Sequence, residues 1–98
     1  MQRSTIESIG EVIAQMLRDS GLEKPLMEKR IVAAWPEVLG PTVARYTGDI
    51  SIKNGVLFVH IKSAPLRQEL FNCRFKLVEK LQKAVGADGV IRDIRLLG

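Results

Sequence analysis

Ile6, Ile9, Val12, Ile13, Met16 and Leu17 recur at three- and four-residue intervals, with Glu7, Glu11, Gln15 and Arg18 between them. This is the apolar face of a helix over residues 5–19. Ser4 followed by Glu7 forms a capping box at its start, and Gly21 supplies the stop. A second helix is predicted to start near Pro25, a residue tolerated in a first helical turn. Its stripe is Met27, Ile31, Ala34, Trp35 and Val38, flanked by Val32 and Leu39. Pro36 lacks a backbone donor and disfavours helical geometry at the residue before it. The helix is therefore expected to end near Ala34 or to kink into a turn at 36–39. Gly40-Pro41 closes it, and "TVARYT" either adds a helical turn or leads straight to a strand.

The period then changes from helical to alternating. In "DISIKNGVLFVHI", Asn54-Gly55 between two alternating runs marks a two-residue hairpin with a type I′ turn. That turn predicts the pairs Lys53–Val56, Ile52–Leu57, Ile50–Val59 and Asp49–His60. Ile50, Ile52, Leu57, Val59 and Ile61 share the core face. Asp49, Ser51, Lys53, Val56, Phe58 and His60 share the other, which Lys62 extends. Ser63 can cap a third helix with Pro65 in its first turn. That helix is expected to run to about Val85, with Leu66, Leu70, Phe71, Leu77, Val78, Leu81 and Val85 as its apolar arc. "GADG" ends it, and "VIRDIRLL" reads as a last strand. The order ααββαβ, a hairpin followed by a helical crossover, implies an α+β domain. Its three-stranded mixed sheet would carry helices on one face. Trp35 falls in the stripe that must cover this sheet, so it reads as a core peg at the corner formed by Pro36 and Gly40-Pro41.

The chain has 98 residues, enough for one compact domain and too few for two. No repeat, low-complexity segment or linker interrupts it. Its 46% hydrophobic content supports a core. Fifteen Lys and Arg against eleven Asp and Glu give a formal net charge of +4, which permits a polyanionic partner without requiring one. No apolar run approaches the ~20 residues needed to span a bilayer. Glu7 and Glu11 interrupt the N-terminus as a signal peptide would not be. A soluble cytoplasmic protein is expected.

Catalysis has little to stand on. One His and one Cys occur, neither with an evident partner, and no ligand spacing suggests a metal or another cofactor. His60 reads as half of a surface cross-strand pair and Cys73 as a half-buried inert thiol. Gly86-Ala-Asp-Gly89 spells a GxxG, but between a helix and a strand it reads as a cap and turn. The basic residues say more. Lys76, Lys80 and Lys83 fall together on the far side of the third helix, diluted by Glu69 and Glu79. Lys53, Phe58, His60 and Lys62 place an aromatic among cations on the outer hairpin face, a pattern that suits a nucleic-acid backbone with a stacked base and equally an ordinary exposed face. Arg74 falls amid the apolar arc, with Arg67 on the same face. A lone charge there must pair, snorkel or meet a partner.

"WPEVLGPTVARYT", then "NGVLFVHIKSAPLRQEL", then an amphipathic helix and a short strand resemble the DciA-type proteins of bacteria. The matching positions are Trp35, Gly40, Thr47, Gly55 with Leu57, Ser63, and Glu69-Leu70, and the likeness runs from about residue 5 to 97. The resemblance implies a KH-like fold and a role in initiating replication, through binding a DnaB-type replicative helicase, promoting its loading, and binding DNA. It implies no ATPase, no small-molecule substrate and no membrane partner. Longer members carry a flexible basic C-terminal extension, whereas this sequence ends at Gly98, which leaves helicase contact to the folded domain. The expected nucleic-acid-binding set is Lys53, Lys62, Arg67, Arg74, Lys76, Lys80 and Lys83, facing single-stranded or forked DNA. A purely protein-binding module and a KH-like RNA binder are the alternatives, and a small-molecule enzyme ranks last.

Overall fold

The computed structural model describes residues 10–13, 15–16 and 21–98. The Ser4–Glu7 capping box, Ile6, Ile9 and Leu17 lie outside the described residues. Residues 10–13 and 15–16 are helical, as the first stripe predicts, and Val12, Ile13 and Met16 are exposed. Helix α1 spans Glu23–Leu39, α2 Pro41–Tyr46, β1 Thr47–Lys53, β2 Val56–Ile61, α3 Ala64–Asn72, α4 Arg74–Val85 and β3 Asp93–Leu97.

The sheet has the order β1-β2-β3. β1 and β2 are antiparallel, and β3 returns through α3 and α4 to lie parallel to β2. Asn54 and Gly55 both take positive φ, 53° and 77°, as the hairpin turn requires. The fold is thus α+β, with a three-stranded mixed sheet, and is consistent with a small KH-like domain. One sheet face carries the core: Leu57, Val59, Ile61 and Ile94 are buried against Ile31, Ala34, Trp35, Leu70, Leu77, Val78, Leu81 and Ile91 from the helical side.

Five details differ from the expected elements. Helix α1 does not stop at Ala34 but runs through Pro36 to Leu39. Pro36 is exposed, and burial of the neighbouring Trp35 holds the turn together. The expected Asp49–His60 pair does not form. The register shifts between Thr47 and Ile50, so that Thr47, not Gly48, is opposite Ile61. The shift serves Trp35: its indole Nε1 donates to Thr47 Oγ1 at 3.1 Å, and that hydroxyl donates to the Val43 carbonyl at 2.8 Å.

The single helix expected over 64–85 is two. Its cap is as predicted, Ser63 Oγ accepting from Leu66 N–H, but the chain breaks at Cys73 (φ −112°, ψ 19°) and restarts at Arg74. Leu70 of α3 and Leu77 and Leu81 of α4 belong to the core on either side of the break, as the arc predicts. Phe71, however, is 46% exposed, where the predicted arc had buried it. Cys73 is exposed at this junction rather than half-buried.

The GADG segment is the predicted cap and turn. Gly86 ends α4 in the left-handed conformation (φ 71°), donating to the Gln82 and Lys83 carbonyls. Gln82 then holds the segment that follows, its Oε1 accepting from Val90 N–H at 2.8 Å and Ile91 N–H at 3.1 Å. A Gln82→Ala substitution leaves both part-buried donors without that acceptor. It is expected to lower stability by about 1–3 kcal/mol, read as an earlier urea midpoint at unchanged slope.

Candidate nucleic-acid interface

The fold distributes the predicted cations over four places. Lys76, Lys80 and Lys83 are exposed on α4. At about 3.6 residues per turn they lie within about 60° of arc, on the side opposite the buried Leu77, Val78 and Leu81. Glu79 borders the stripe, as the sequence indicates.

Lys53 and Lys62 are exposed on the sheet side of the molecule, away from the helical layer. There the register sets Ser51, Phe58 and Arg95 in one row across the three strands and Lys53, Val56 and Asp93 in the next. Phe58 is half-buried, while His60 and Arg95 are exposed. Arg95 belongs to this face and is absent from the predicted set. Its face follows from the parallel pairing of β3 with β2, a non-local register that no turn specifies. Arg92 lies against Gly55 at the hairpin end of the same sheet.

Arg67 and Arg74 are engaged within the fold. Arg67 Nη1 donates to the Ile61 carbonyl, and its guanidinium lies against Gly98. Arg74 takes the intramolecular carboxylate that its place in the apolar arc calls for: Nε meets Asp93 Oδ1 at 3.2 Å, and Nη1 donates to the Phe71 carbonyl at 3.0 Å. The Arg74 and Asp93 side chains are 25% and 31% exposed. Asp93 also accepts from the Ile94 N–H. The Arg74 guanidinium lies over two rings, 4.0 Å from the Phe71 centroid and 4.4 Å from that of Phe75. The two arginines therefore stand at opposite ends of β3 rather than sharing one face.

Among the described residues, no group of three or more His, Cys, Asp or Glu is placed to hold a metal ion. No helix among them is long and apolar enough to cross a membrane. Cations thus line two surfaces, the lysine stripe of α4 and the outer sheet face. Each can meet a phosphate backbone by charge alone.

These features define a small KH-like α+β domain with basic surfaces on opposite sides of its core. The model of the family described as Dna[CI] antecedent, DciA, matches residues 8–96, and the chain belongs to that family. UPF0232 proteins of Mycobacterium tuberculosis and Mycobacterium bovis are 24% identical to it over 92 residues. The alignment takes in 94% of this chain and 49% of each relative, so the chain spans about half the length of the curated relatives it matches.

Proposed function

We infer that the domain is a non-enzymatic, DNA-binding adaptor that associates with the replicative DnaB-type helicase and promotes its loading in bacterial replication initiation. The observation that carries this reading is membership of the DciA family over residues 8–96, together with the role understood for that family. The exposed α4 lysines and the outer-face cations support the DNA half of it.

The adaptor works by holding two partners, so its test is a binding assay. The purified domain is titrated against the cognate replicative helicase with and without single-stranded or forked DNA. A complex without DNA, and one more stable with it, is the expected result. Absence of a helicase complex in both arms would sink the reading. DNA affinity should be electrostatic. If about three lysines contact phosphates of a single strand, the slope of log affinity against log salt is roughly −2, and affinity falls about 20-fold from 50 to 200 mM salt. A flat response would remove DNA binding and leave a module that binds protein alone.

A further inference from the structure

We propose that Phe71, Arg74 and Phe75 form a stacking platform for unpaired nucleobases, so that the domain grips single-stranded in preference to duplex nucleic acid. This rests on the nucleic-acid-binding reading given above and adds to it the place where bases, rather than phosphates, are held.

The physical argument begins with exposure. Phe71 and Phe75 are 46% and 62% exposed, and a soluble domain gains nothing by presenting two phenyl rings to water on adjacent helices. Both are nevertheless ordered by one cation. Arg74 lies 4.0 and 4.4 Å from their centroids, in the range of attraction between a guanidinium and a ring face. The arginine is itself fixed from two further directions, by Asp93 Oδ1 at 3.2 Å and by the Phe71 carbonyl at 3.0 Å. The rings are therefore held before any ligand arrives, which reduces the ordering cost of binding. The helix break at Cys73 creates the arrangement: α3 ends with Phe71 and Asn72, and α4 opens with Arg74 and Phe75.

The surroundings select the occupant. Lys76 follows Phe75 directly, and Lys80 and Lys83 continue along the same helix, all exposed. Arg95, two residues beyond Asp93 on the same face of β3, adds a further exposed cation. Two exposed rings, each backed on one face by Arg74, beside a run of cations match a strand whose bases stack while its phosphates meet lysines. In duplex DNA the bases already stack on one another, so the platform has no ring to receive.

The test uses Phe71→Ala, Phe75→Ala, their double variant and Phe75→Trp. Each is titrated with fluorescent oligo-dT, oligo-rU and a blunt duplex at two salt concentrations, and with the helicase. The expected result is a tenfold or greater loss of oligo-dT affinity in the double variant, with duplex affinity and salt slope unchanged, because no charge is removed. Phe75→Trp should retain affinity, and its new indole should be quenched by oligo-dT, whereas Trp35 is buried and gives a constant background. Unchanged melting temperatures show that the exposed rings are not needed for folding. Equal losses on duplex and single strand, or no loss on oligo-dT that the wild type binds, would overturn the platform and leave DNA binding standing. A wild type that binds none of the three probes at low salt would overturn both. Loss of helicase binding with oligo-dT affinity intact would assign the rings to the protein partner instead. The ratio of dT to rU affinity identifies which single strand the platform takes.

Discussion

A Trp35→Ala variant is expected to lose about 3–5 kcal/mol of stability, the range for truncating a large buried aromatic. Trp35 is wholly buried and joins three elements. Its ring belongs to the cluster that includes Ile31 and Ala34 of its own helix and the inner sheet residues. Its N–H ties α1 to the first residue of β1 through Thr47, whose hydroxyl continues to Val43 in α2. Alanine leaves a cavity at this junction and removes the donor to Thr47. Domains of this size are stable by about 5–15 kcal/mol, so the loss is a large share of the total, and the melting temperature should fall by tens of degrees. A Trp35→Phe variant separates the two contributions. It retains most of the ring volume and gives up the indole N–H, and should cost clearly less than alanine. Chemical unfolding followed by circular dichroism measures both, since each variant lacks the sole Trp. An alanine variant of normal stability that had lost only partner binding would show Trp35 to be a working surface instead.

The same residue shows what the sequence makes legible. Ile31, Ala34 and Trp35 are predicted on one stripe and are buried together, because helical periodicity is a local signal. The Asn54-Gly55 hairpin follows for the same reason: two residues in a tight turn set the register of the strands on either side. What the sequence hides is non-local. Pro36 ends a helix in isolation, yet packing of Trp35 carries α1 past it. The shift at Thr47–Ile50 answers to the indole across the fold, not to neighbours in the chain. The break at Cys73 carries no glycine or proline to announce it. It changes the meaning of Phe71, read as core and found exposed against Arg74. The candidate site divides in the same way. The lysine stripe of α4 is visible from spacing alone, whereas Arg95 joins the outer sheet face only once β3 has paired with β2. Arg74 was legible as an anomaly, but its partner Asp93, nineteen residues on, was not.

Reversal of the stripe is expected to produce the largest functional effect. In a Lys76→Glu, Lys80→Glu, Lys83→Glu variant each change removes one positive charge and adds one negative, so the formal net charge passes from +4 to −2. Three phosphate contacts to a single strand contribute roughly 10² in affinity at about 0.1 M salt relative to 1 M, by release of condensed counterions. Their loss should therefore weaken oligo-dT binding by about 100-fold or more and flatten the salt slope by roughly 2. Folding should be unaffected, because all three side chains are exposed and substitutions at such positions usually change stability by less than about 0.5 kcal/mol. Net charge alone also weakens binding to a polyanion, so the matched control is Lys53→Glu, Lys62→Glu, Arg95→Glu on the opposite side of the core, which changes the total charge equally. A strand that follows α4 past Phe75 makes the first variant much the weaker binder. Equal losses in the two variants would mean that the overall field of the domain, and not a track along this helix, holds the DNA.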